Sequence, residues 1–209
     1  MALTTWLLFV AIAAVSILSP GPAFLVAVRN GMAGGMRRVA LSSLGNISGL
    51  LLLASAAVLG LGVVLTTSEV LFTALKLCGA GYLIYLGVRQ WRQPSLVVTR
   101  PTAPTHGRAR ARVFSEGLLV AISNPKAILF FTALFPQFLD PQLPLVPQFT
   151  LMVGTFMALS FVTLMTYGSL ARQIARWLGS AKQARWVNRF VGSAFIGLGV
   201  SLLRLRQPV

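Results

Sequence analysis

Hydrophobic positions along the chain gather into six long runs separated by short polar segments. They cover about Thr4 to Val28, Val39 to Leu65, Val70 to Val88, Phe114 to Phe135, Phe149 to Leu170 and Val187 to Leu203. Each approaches or exceeds the ~20 residues a helix needs to cross the hydrocarbon of a bilayer, the last being the shortest. The pattern predicts an all-α integral membrane protein with six transmembrane helices. Two of the runs are interrupted by prolines, at Ser19-Pro20-Gly21-Pro22-Ala23 and at Ser123-Asn124-Pro125-Lys126-Ala127. Proline lacks the backbone donor and clashes with the carbonyl four residues back, so helices 1 and 4 are predicted to be broken there. Hydrocarbon offers no water to the freed backbone groups, so such breaks belong where protein buries them or where they line a polar cavity.

The two breaks are also related to each other. Ser19-Pro20-Gly21-Pro22-Ala23-Phe24-Leu25 matches Ser123-Asn124-Pro125-Lys126-Ala127-Ile128-Leu129, and Lys76 to Leu83 in helix 3 matches Arg189 to Ile196 in helix 6. Self-similarity in the same order along two halves reads as an internal repeat. A unit of three helices makes an odd number of crossings, so its second copy enters from the opposite side. The expected architecture is two inverted three-helix repeats, residues 1–92 and 114–209, joined by a basic linker at 93–113. That plan puts a solute site near the membrane midplane, between the repeats.

Composition and charge sharpen this picture. The chain is 56% hydrophobic and 10% charged, with a mean hydropathy of +0.80. A formal charge of +15 would suit nucleic acid, but the placement of the basic residues argues for a membrane instead. Arg29, Arg37 and Arg38 follow helix 1. Arg89, Arg92, Arg100, Arg108, Arg110 and Arg112 lie between helices 3 and 4. Arg172, Arg176, Lys182, Arg185 and Arg189 lie between helices 5 and 6. Fourteen of the 18 basic residues thus share one side, while the other two connections hold Glu69 and Asp140. This is the positive-inside pattern. It puts both termini outside, with Arg204 and Arg206 as exceptions to the rule.

The first run has no basic residue before it, so it reads as a retained helix rather than a secretory signal. The segment from Gln93 to Arg112, with Pro94, Pro101 and Pro104, reads as an unstructured tether. Ala171 to Trp186 sets Ile174, Trp177 and Leu178 against Arg172, Arg176 and Arg185, as an interfacial helix or a basic loop would. Gly45 and Gly49 form a GxxxG in helix 2, and Gly79, Gly81, Gly87, Gly192, Gly197 and Gly199 crowd helices 3 and 6. Small residues let membrane helices approach closely, within one chain or between two. Cys78 is the single cysteine, so no disulfide forms within a chain; it reads as a packing residue.

Lys126 is the sharpest candidate, an ammonium deep in an apolar run directly after a proline. Charge at that depth marks a functional site by default, although the side chain can also snorkel toward water. Glu116, the nearest acid along the chain, lies ten residues earlier, ~15 Å along a helix, too far to pair. A lysine facing the cavity would neutralise a solute carboxylate. The half-helices that start after Pro22 and Pro125 point partial positive charge at the breaks and suit anions. Ser19, Ser123 and Asn124 can pair with freed backbone or with solute. Asn46, Ser48, Gln137 and Tyr167 are further polar groups at membrane depth, suited to bonds between helices, with Asn46 the best placed for a cavity. Methionine and phenylalanine side chains in helices 4 and 5 read as packing or lipid-facing.

The inventory also excludes classes. The spans hold no paired carboxylates for a hard metal, His106 in the linker is the only histidine, and no phosphate-cradling loop is present. A metal carrier, a Ser-His-Asp hydrolase and a self-contained ATPase are therefore disfavoured, and no cofactor is implied.

The Ser19-Pro20-Gly21-Pro22 break and the Gly31 to Arg38 loop leading to Gly45 carry the first half of a likeness to a known family. The Leu83 to Gly87 end of helix 3, Asn124-Pro125-Lys126-Ala127 and Phe135-Pro136-Gln137-Phe138 carry the rest. Together these motifs resemble the LysE/RhtB amino-acid exporters over nearly the whole chain. The resemblance implies a multi-pass carrier of the bacterial inner membrane that exports amino acids using the proton gradient; the residues themselves make Ser19, Pro20, Gly21, Pro22, Asn46, Ser123, Asn124, Pro125, Lys126, Gln137 and Tyr167 the candidates for substrate binding and translocation. Branches exporting lysine or arginine tend to carry membrane acids after the helix 2 glycine and after the Asn-Pro motif. Here Asn46 and an apolar run stand in those places, which favours a neutral substrate of the homoserine, threonine or leucine kind. A cationic amino acid, another small solute, a channel and a non-transporting scaffold are the alternatives. The implied partners are substrate, protons and membrane lipid, with no nucleic acid; a homodimer stays open.

Overall fold

The structure, a computed structural model, describes residues 1–61, 69–92, 110–140, 142–178 and 181–204. Every regular element among them is helical. Helix α1 (Leu3–Leu18) stops because Ser19 precedes a proline and is held extended, at φ −63 and ψ 123. The chain is helical again from Pro22 to Leu61 except at Gly35, whose φ of 69 divides it into α2 (Pro22–Ala33) and α3 (Gly35–Leu59). Helix α4 (Glu69–Arg92) follows, then α5 (Arg110–Ile122) and α6 (Pro125–Leu129). Beyond α6 the helix widens into a π turn at Phe130–Leu134 and tightens into a 3₁₀ turn at Phe135–Phe138. The last three are α7 (Leu145–Ser169), the short α8 (Ala171–Leu178) and α9 (Ala181–Arg204).

Both expected breaks are present. Helices α1 and α2 meet at 57°, and α5 meets Pro125–Phe138 at 52°. Each bent pair is long and apolar enough to cross a membrane, as α3 and α7 are singly. Helices α4 and α9 have 24 residues each, about 36 Å of helix.

Four expectations change, the first being that Arg110, Ala111 and Arg112 belong to α5 rather than to an unstructured tether. The Gly31 to Arg38 stretch is not a loop: helix runs on both sides of Gly35, because one glycine in the left-handed region turns the chain without further residues. Arg29, assigned above to a connection, is consequently a residue of α2. Of the Ala171 to Trp186 segment, one helix covers Ala171–Leu178 and Trp186 belongs to α9. The linker residues 93–109, with His106, lie outside the described residues, as do Arg206 and the side chain of Cys78.

Close backbone approach organises the bundle. A Cβ on Gly45 would overlap the Phe114 carbonyl oxygen, one on Gly117 would overlap that of Ser42, and one on Gly49 would come within 2.8 Å of the Leu118 carbonyl. These contacts advance together along both helices, so α3 and α5 run parallel. Gly87 meets Gly192 while Ala80 meets Gly199, so α4 and α9 run antiparallel. Buried Gln90 donates to Asn188 at 2.9 Å and Trp91 to the Arg189 carbonyl at 2.8 Å, fastening one end of that pair. Trp6 reaches Thr155, and Tyr167 reaches the Leu18 carbonyl, so α1 and α7 run parallel. At Gly81 and Gly197 a Cβ would meet open space, so close backbone approach does not require glycine there.

The core between these pairs is aromatic. Phe9 packs against Phe130, Phe135 and Phe138, and Phe156 against Phe130 and Phe131. The phenylalanines after the second break are thus packing residues. A smaller cluster forms where Phe24 and Val28 of α2 meet Tyr167 and Ala171. Gln148, buried at the start of α7, exchanges two 2.9 Å bonds with the Asp140 backbone and so pins the connection before it.

Candidate functional site

The two breaks meet. Helix α1 ends with carbonyls that have no partner in their own helix, and hydrocarbon supplies none. The Lys126 ammonium, half-buried, donates to the carbonyls of Ser16 at 2.6 Å and Ser19 at 3.0 Å. The Tyr167 hydroxyl donates to the Leu18 carbonyl at 2.9 Å, and the Ser19 N–H closes on Val15 at 3.1 Å. A cation at a helix C-terminus also meets the negative end of the helix dipole. Lys126 therefore acts as a cap supplied across the bundle, neither snorkelling nor paired with Glu116.

The second break is ordered by its own sequence. Asn124 is extended ahead of Pro125, and its side-chain oxygen accepts from the Lys126 N–H at 3.1 Å as an N-cap. Pro125 then occupies the first helical position, where its missing donor costs nothing. This fixes Lys126 one residue into the new helix, aimed at Gly21, where a Cβ would lie 3.6 Å from its Nζ.

Of the residues picked out in the sequence, Ser19, Gly21, Asn124, Lys126 and Tyr167 converge here, and Pro20, Pro22 and Pro125 set the backbone that lets them. Ser123 is exposed at the surface. Gln137 lies further along, its amide donating to the Ala133 carbonyl one turn back. Asn46 lies apart from Lys126, in the wall of a small cavity shared with Ala23, Val26, Ala27, Ser42, Ser43, Gly117, Val120 and Leu164. At ≈ 10 Å³ the cavity has room for about one water. Ser43 is 1% exposed, and its hydroxyl has no partner among the described residues.

The feature the sequence reading missed is an ion pair between Arg29 of α2 and Glu116 of α5. Its only sequence signal was Glu116 itself, the single acid inside an apolar run. Eighty-seven residues separate the partners, so no spacing rule could join them.

An all-helical bundle with two kinked, membrane-length helix pairs joined through a half-buried lysine belongs to the class of integral membrane proteins. The family model described as LysE type translocator matches residues 14–206, and the chain belongs to that family. A homoserine/homoserine lactone efflux protein of Salmonella typhi is 33% identical over 97% of both chains. An uncharacterized membrane protein of Vibrio cholerae is 34% identical over 94% of this chain and 95% of its own. A leucine efflux protein of Salmonella typhimurium is 29% identical over 91% of each. No solved structure matches the chain.

Proposed function

We propose that this chain is a secondary active exporter of neutral amino acids of the homoserine, threonine or leucine kind, coupled to protons. It sits in a bacterial inner membrane with both termini periplasmic. Relatives named for homoserine and leucine efflux, similar over nearly their whole length, support the substrate class.

Six spans form two inverted repeats, residues 1–92 and 114–209, with 93–113 between them. The spans are α1 with α2, α3, α4, α5 with Pro125–Phe138, α7 and α9. The helix directions support this arrangement. An inverted repeat pairs span 1 with span 5 as it pairs span 4 with span 2, and both pairs run parallel. It also pairs spans 3 and 6 with each other in opposite directions, as α4 and α9 run.

The observation that carries the reading is the bond between Lys126 at one break and the Ser16 and Ser19 carbonyls at the other. A lysine with two of its three donors on backbone can be recruited by a carboxylate, which is the stronger acceptor. A solute carboxylate taking the ammonium would release the end of α1 and let the two bent spans move against each other. The cavity beside Asn46 is far smaller than an amino acid, so the structure supports a closed resting form around which access alternates.

Efflux from vesicles preloaded with homoserine, threonine, leucine or lysine, with and without a pH gradient, tests the proposal. Uphill movement of a neutral amino acid that collapses with the gradient is expected. Equal passage with and without the gradient would indicate a channel, and no movement of any amino acid would sink the reading.

A further inference from the structure

We propose that Arg29 and Glu116 are the first binding station for the zwitterionic head of the solute, on the side of the cavity that bears the basic connections. This rests on the amino-acid reading above and adds to it the residues that admit the solute.

Helix α2 starts at the first break and α5 ends at the second. Going away from the breaks, both helices first line the small cavity, through Ala23, Val26 and Ala27 on α2 and through Val120 and Gly117 on α5. Arg29 and Glu116 come next. Arg29 is three residues beyond Val26 and Glu116 four residues before Val120, so both lie on the helical faces that line the cavity. Beyond them are Arg37, Arg38, Arg110 and Arg112. The ion pair thus lies next along both helices after the cavity-lining residues, on the side away from the breaks and Lys126.

The chemistry fits one class of solute. An α-amino acid carries a carboxylate and an ammonium on adjacent positions, the complement of a guanidinium facing a carboxylate. Arg29 presents a planar fork suited to a carboxylate, and Glu116 accepts an ammonium. A solute that splits the pair satisfies both charges at once, so neither side chain is left uncompensated while the pair opens. Behind the pair, the Ser43 hydroxyl, 1% exposed and without a partner among the described residues, lines the cavity such a solute would enter. Both side chains are partly exposed, at 38% and 23%. The carboxylate would then pass to Lys126 at the breaks.

The test is homoserine and leucine counterflow in inside-out vesicles, comparing wild type with R29Q, E116Q and the exchange R29E/E116R. Each single change is expected to raise the half-saturating concentration at least tenfold while the maximal rate stays within about twofold. The exchange keeps the attraction between the helices but reverses its direction relative to Lys126, so it is expected to fold and yet not recover affinity. Thermal unfolding in detergent reports folding; should the exchange fail to fold, R29Q/E116Q, which strands no charge, takes its place. Unchanged half-saturation in R29Q, or full recovery in the exchange, would make the pair a structural tie and overturn the proposal. Wild-type vesicles that carry no amino acid would sink the exporter reading itself, a result read before any variant is made.

Discussion

The ammonium of Lys126 stops 3.0 Å from the carbonyl oxygen of Ser19, so a side chain from the second proline break caps the helix that ends at the first. Backbone that proline had freed is thereby satisfied within protein, and the two halves of the chain are tied at the point where each is bent.

Removing that tie has a defined consequence. In Lys126→Met the Ser16 and Ser19 carbonyls lose charged donors, each worth ~1.5–3 kcal/mol when buried. A thermal midpoint several degrees below wild type and loss of counterflow are expected together. Wild-type stability in this variant would mean that the capping bonds contribute nothing.

Tyr167→Phe isolates a single bond. The ring keeps its edge contact with Phe24, at 4.9 Å between centroids, and only the donor to Leu18 disappears. Interhelical bonds in membranes average ~0.6 kcal/mol and reach ~1.7. A small fall in unfolding midpoint with partial transport is expected; complete loss of folded protein would assign the tyrosine a larger role.

The glycines divide into two groups that a substitution series separates. Gly45→Leu and Gly117→Leu force side chains into the backbone of the facing helix, and folded protein should be largely lost. Gly81→Leu enters open space and should leave yield and transport near wild type. Equal tolerance at Gly45 and Gly81 would contradict the parallel packing of α3 on α5.

Asn124→Ala removes the side-chain acceptor that starts α6, typically a cost of ~1 kcal/mol. Lys126 follows two residues later, so its aim should loosen as well. Counterflow is expected to fall further than stability does, measured on the same preparation; Asn124→Asp, which keeps the acceptor, should recover most of it.

What the sequence decides here is whatever depends on neighbours along the chain. Long apolar runs specify helix, and a proline specifies where the helix stops and what the preceding residue must do. The Asn124 cap and the two bends were legible for that reason. The single-residue turn at Gly35 was not, because a glycine among helix-compatible residues signals a loop as readily as a kink.

Tertiary structure decided the partners. Lys126 meets residues 107 and 110 positions away, and Arg29 meets Glu116 across 87. Such contacts depend on which helices pack and in which direction, and that follows from backbone-to-backbone fits such as Gly45 on Phe114. Hydropathy and proline geometry act over a few residues, whereas complementary surfaces exist only once the helices have assembled.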